Sequence, residues 1–155
     1  MTQENNIEEI FKHMIRDLKE IKDIRGLVLV LHLYIEWWLN LLIKKYFKNH
    51  DIILDDNLLN DLKSFSNKVR ILNAVGVLDE NIFEDIKTVN KIRNIFAHNL
   101  DLTHPDVRDK FGKEMEKIRS SEVKETKMSI EDKFSFLAVT LTIELHEIFA
   151  RPPEH

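Results

Sequence analysis

The residues best placed to do chemistry are Arg93, Asn94 and His98, in the run Lys91-Ile92-Arg93-Asn94-Ile95-Phe96-Ala97-His98. Successive helix residues turn by about 100°, so with Arg93 at zero, Asn90 falls near 60°, Asn94 near 100° and His98 near 140°. Val89, Ile92 and Phe96 fall on the other side. The spacing predicts a polar arc of Arg93, Asn90, Asn94 and His98 on a helix whose opposite stripe is packed in a core, with small Ala97 leaving room in the arc. Such an arc suits a phosphate. An imidazole that exchanges a proton near neutral pH, beside a permanent cation that stabilises charge on a phosphoryl oxygen, suffices for attack of a ribose 2′-hydroxyl on its own phosphodiester. That chemistry calls for no metal and no cofactor. The same residue types also complement the negative end of a helix dipole, with Asn99 as a terminator, and spacing alone does not separate the two readings.

His32, Glu36 and Asn40 recur every four positions and form a second group on one helical stripe. Glu36 is a candidate to orient His98 or Arg93 from a neighbouring helix, with His32 in support, as a carboxylate fixes a catalytic imidazole. The alternative is a buried polar network or a dimer seam, since inward polar groups on a core helix must be satisfied. A metal site is not expected. His32 and Glu36 supply only two ligands, and His13, His50, His104, His146 and His155 show no HExxH or comparable grouping. Trp37 and Trp38 are adjacent and point about 100° apart, which suits packing better than a base-stacking platform. His146 and Glu147 read as surface residues.

These groups must be positioned by helices. Three Gly, three Pro and no Cys among 155 residues disfavour a many-turned β fold and a Gly-rich phosphate loop, and exclude disulfides, thiolate zinc and thiol nucleophiles. At 43% hydrophobic and 32% charged, the chain is that of one globular domain spanning residues 1–155. The periodicity predicts an amphipathic helix from about Asn6 to Lys22, carrying Ile7, Ile10, Phe11, Met14, Ile15 and Leu18. A very apolar helix from about Asp23 to Lys48 follows and forms the centre. Its span Gly26 to Ile43 is greasy, but His32, Glu36 and Asn40 make it a core helix and not a membrane span. Asn49 to Asp56 reads as a connection. Ser64 caps a third helix ending at Gly76. A fourth starts at Asp79, with Ile82, Phe83, Ile86, Val89, Ile92 and Phe96 inward and acids leading, bases trailing. Thr103-His104-Pro105 opens a fifth. Ser129 with Asp132 opens a last helix, apolar at Phe134, Leu137, Leu141, Leu145 and Ile148, after a loop near Ser120 to Met128. Asp101 to Lys133 mixes acids and bases and reads as solvated surface.

The run from Arg93 to His98 resembles the Arg-x4-His motif of the HEPN superfamily, helical domains that include metal-independent endoribonucleases. More narrowly, Leu62-Lys63-Ser64-Phe65-Ser66-Asn67-Lys68-Val69, then Leu72-Asn73-Ala74-Val75-Gly76-Val77-Leu78, then Ile92 to His98 resemble the mannitol operon repressor family. That family shows a Phe-Ser stretch, an Ala-Leu-Gly-Leu-like helix end and Arg-Asn-Asp-Phe-Ala-His. The likeness reaches back through Arg25 to Leu42. Ile95 stands where the repressor family usually carries Asp, and Asn99-Leu100 replace the pattern, with Tyr two residues after the histidine, of HEPN toxins paired with nucleotidyltransferase antitoxins. The resemblance implies an all-α, HEPN-like up-and-down bundle of about five to six helices, paired as a two-fold dimer. It implies further that His98 handles the proton, Arg93 binds the scissile phosphate at the dimer interface, and Asn94 orients one or the other.

Besides a nucleotide-sensing or scaffold domain that uses the same pocket without turnover, two functions compete. One is a metal-independent endoribonuclease acting on RNA, as a toxin, defence or RNA-regulatory protein, with an antitoxin or other protein partner. The alternative is a non-catalytic regulator of transcription that works through protein partners. A net charge of −4 and the absence of a basic recognition helix argue against direct grip on duplex DNA. The acidic amino terminus lacks the order of a secretory signal, and with no cysteine the expected location is the cytoplasm, away from membranes.

Overall fold

Short polar side chains start most of the helices. Thr2, Asp23, Ser64, Asp79 and Ser129 each accept a hydrogen bond from the backbone N–H three residues on, satisfying a donor that the first turn leaves unpaired. The computed structural model describes residues 2–47, 64–125 and 127–152. The expected connection from Asn49 to Asp56, the pair Leu62-Lys63, and His50 and His155 lie outside the described residues. The helices are α1 (Gln3–Glu20), α2 (Ile24–Tyr46), α3 (Phe65–Ala74), α4 (Glu80–His98), α5 (Pro105–Met115), α6 (Ser121–Lys124) and α7 (Ile130–Ala150). The all-α bundle expected from the sequence is what forms. The loop expected near Ser120 to Met128 contains the single turn α6, whose Val123 is buried.

α2 is the axis of the bundle. It packs against α7, α4, α3 and α1, and α1 also lies along α7. Its 23 residues are long and apolar enough to cross a bilayer, yet Leu31, Ile35, Trp38, Leu39, Leu42 and Ile43 are fully buried against the other helices. The apolar character therefore builds a protein core. Two devices tie its ends. The Lys45 ammonium donates to the carbonyls of Phe149 and Arg151 at the carboxyl end of α7. Arg25 donates to the carbonyl of Leu100, 3.2 Å away, and to that of Asn99, just past the end of α4.

α3 stops as the sequence predicts. Gly76 has φ +79°, a left-handed conformation that costs a side-chain-bearing residue about 1 kcal/mol or more. The N–H groups of Val77 and Leu78 return to the Leu72 carbonyl and close the turn. α4 stops at Asn99, as the sequence predicts, by a different device. Asn99 is extended at φ −124°, not left-handed, and its side-chain amide donates to the Ile95 carbonyl at 2.6 Å. The terminator works through its side chain, while Arg25 holds its backbone carbonyl.

Candidate functional site

α4 presents the arc because its other side is fixed. Val89 and Ile92 are fully buried, and Phe96 packs edge-on against Phe111 of α5 with ring centroids 5.2 Å apart. On the polar side Asn94 and His98 are exposed, while Arg93 and Asn90 are half-buried. The Arg93 guanidinium donates to the Asn94 side-chain oxygen at 3.2 Å. His98 makes no side-chain hydrogen bond with another described residue, so within one chain the imidazole and guanidinium share a helix face but are not joined. Past the helix end, the Asp101 carboxylate accepts from the Thr103 hydroxyl and backbone N–H. Those bonds, the hydroxyl's foremost, hold that carboxyl below its usual range and shape the loop beside His98.

The α2 stripe reaches α4 through His32. Its Nε2–H donates to the Asn90 side-chain oxygen at 3.1 Å, and its ring stacks on Phe65 of α3 with centroids 4.1 Å apart. Burial pushes the imidazole below its usual pKa; the Asn90 bond opposes the shift, the Arg93 charge adds to it, and Glu36 opposes it. His32 is therefore neutral at pH 7 and orients Asn90. Glu36 does not act as expected. Its carboxylate accepts from Lys68 of α3 at 2.9 Å instead of reaching Arg93 or His98. Lys68 is 94% buried by the 6% exposure it retains, and a charge so enclosed requires a counter-ion, which Glu36 supplies. The sequence hinted at neither, because Lys68 reads as a solvated residue one turn into α3. Asn40, the third stripe member, has a buried side-chain oxygen with no partner among the described residues.

His146 has a structural place. His146, expected at the surface, is half-buried, stacks on Phe11 of α1 at 3.9 Å and pairs with Glu8 at 2.9 Å; Glu147 is exposed as expected. Trp37 and Trp38 meet edge to face at 5.0 Å, with Trp38 fully buried. No group of three potential metal ligands occurs among the described residues.

Three surface features stand out, two of them recesses that include Asn94 or Asn90 of the arc. Leu29 and Leu33 of α2 and Leu100 beyond α4 are exposed, the last two at 62% and 95%. A groove of about 780 Å³ between α4 and α5 runs from Asn94 and Ile95 past Lys91, Lys110, Lys113 and Lys117. A smaller recess of about 280 Å³ lies between α3 and α4. Far from these, Asp79, Asp85, Glu122 and Glu144 line an acidic recess that includes Arg119. Asp85 is buried and accepts from the backbone N–H groups of Arg119 and Ser120. Burial, then the charges of Asp85, Asp79, Glu147 and Glu122, pushes the Glu144 carboxyl up to about 7. Helical spacing could not reveal this recess, since its acids come from three different stretches of chain.

The chain is an all-helical bundle in which α2 meets α4 through His32 and Asn90 and α3 through Glu36 and Lys68. No protein-family model matches the sequence, and no curated protein does. Among solved structures the chain is similar to a chain of the MtlR–HPr complex from Escherichia coli, known by X-ray structure, with TM-score 0.63 and 12% identity over 87% of this chain and 97% of that one. At that identity the likeness is one of fold, and the fold is MtlR-like.

Proposed function

We propose that this chain is a non-catalytic, MtlR-like regulator that works in the cytoplasm through a protein partner docked on the exposed Leu29, Leu33 and Leu100. The carrying observation is that exposed set: Leu29 and Leu33 follow Arg25 at one and two turns along α2, Arg25 holds the Leu100 carbonyl, and large apolar side chains left exposed together are the composition of a protein-recognition patch. The fold likeness supports the reading, because the similar chain was seen in complex with HPr. HPr is thus the first partner to try. Titration with HPr from the same organism is expected to give saturable binding that Leu33→Glu weakens about tenfold or more. Absence of binding, or equal binding by that variant, removes the reading.

A second reading rests on a different observation, the groove that opens at Asn94, one helical turn before His98, and is lined by Lys91, Lys110, Lys113 and Lys117 together with Glu114 and Glu116. There the chain, as a two-fold dimer, cuts RNA without metal, His98 moving the proton and Arg93 holding the phosphate. It predicts products ending in 2′,3′-cyclic phosphate, lost in His98→Ala and Arg93→Ala while circular dichroism and dimer mass stay unchanged. Cleavage that survives both substitutions excludes it.

A further inference from the structure

We propose that the recess between α3 and α4 is a binding site for a small phosphorylated ligand with an apolar body. Its walls are Phe65 and Val69, its polar lining Ser66 and Asn90, and its cations Arg70 and Lys87. The volume, about 280 Å³, lies just under the usual range for small-molecule pockets, so the ligand is compact. Phe65 and Val69 are buried and supply a fixed apolar surface. Arg70 and Lys87 come from different helices and line the same recess, so one dianionic head can bridge them, and the guanidinium, which bonds to no other described residue, can form the paired hydrogen bonds a phosphoryl group accepts.

The recess is built from behind. His32 stacks on Phe65 and donates to the Asn90 side-chain oxygen, so both the aromatic wall and the amide are held by one neutral ring. With its oxygen engaged by His32, Asn90 has its NH2 group left to serve a ligand as a donor, the polarity that an anion needs. Lys87 is partly committed, lying 3.4 Å from Glu84 and over the Phe83 ring at 4.9 Å. Both contacts are on an exposed surface and are weak enough to yield to a doubly charged head. The site shares Asn90 with the polar arc, so occupancy would be felt at the helix that carries Arg93 and His98. It does not depend on which partner that arc engages.

The test uses the full chain and three probes at constant ionic strength: phenyl phosphate, inorganic phosphate and phenol. Nitrogen-15 spectra should show saturable shifts at Ser66, Arg70, Lys87 and Asn90 with phenyl phosphate, weaker ones with inorganic phosphate, and none with phenol. Arg70→Ala with Lys87→Ala should weaken phenyl phosphate binding about tenfold or more without changing the circular dichroism. Asn90→Asp, which replaces the donor by an acceptor, should weaken it as well. Shifts scattered over all lysines, equal binding by the double variant, or no saturation at millimolar phenyl phosphate would overturn the proposal. Because HPr binding is read with no phosphate present, failure here and failure of the partner reading are separate results.

Discussion

Lys68 and Glu36 form a pair whose members are unequal. The lysine side chain is 7% exposed and the carboxylate 31%. Removing Glu36 strands a buried ammonium, whereas removing Lys68 strands a carboxylate that water can reach. Glu36→Gln should therefore cost about 2 kcal/mol, and Lys68→Met, which keeps the apolar stem, less than about 1 kcal/mol. Urea unfolding at pH 7 checks the order, and a reversed order would contradict the burial. This pair also marks a limit of sequence reading. The stripe of His32, Glu36 and Asn40 was legible from a four-residue recurrence, as was its alternative role as a buried network. Its partners were not, because Lys68 and Asn90 lie on other helices and only packing brings them to it. Arg93, Asn94 and His98 were likewise legible as one face, while the absence of a bond between the imidazole and guanidinium within one chain was not. His146 was misplaced for a related reason: a histidine next to a glutamate looks solvated until α1 brings Phe11 and Glu8 against it.

At the scale of the elements, local chemistry decided the outcome and was readable. Ser64, Asp79 and Ser129 start their helices as their types demand, and Gly76 ends α3 in the left-handed region. A side chain at Gly76 would meet no atom within 4 Å, so Gly76→Ala isolates the backbone term. Its expected cost is about 1 kcal/mol, measured by thermal or denaturant unfolding, with no change in packing. A neutral or stabilising effect would show that the turn can relax. The end of α4 is different, since its stop is shared between Asn99 and a residue 74 positions earlier. Arg25→Ala should fray that end: amide exchange in the last turn of α4 should quicken about tenfold while α1 and α7 keep their protection. No pattern near Asn99 announces Arg25, which stands in the sequence directly before the apolar span Gly26 to Ile43.

For the molecule as a whole, two titrations oppose each other. The folded chain disfavours protonation of His32, so stability is lost as pH falls below about 6.5, where the unfolded imidazole takes up its proton. Glu144 works in the other direction. Between 4.5 and about 7 the folded chain keeps a proton that the unfolded chain has released, so stability is lost as pH rises through that window. Asp85, Asp79, Glu147 and Glu122 face the same carboxyl and sharpen the loss. Glu144→Gln should raise stability at pH 8 by on the order of 1 kcal/mol, a value discounted because water reaches part of the recess, and should flatten the fall above pH 6. Unfolding curves collected across pH for parent and variant decide it; an unchanged profile would mean that the acids relax apart at no cost.

The two carbonyls held by Arg25 give the bundle a further property. A guanidinium rooted in the axis helix grips the strap that follows His98, so the reach of that imidazole is governed from a site remote in sequence. Losing Arg25 would leave every atom of the histidine in place and yet remove both holds on the two carbonyls that come directly after it.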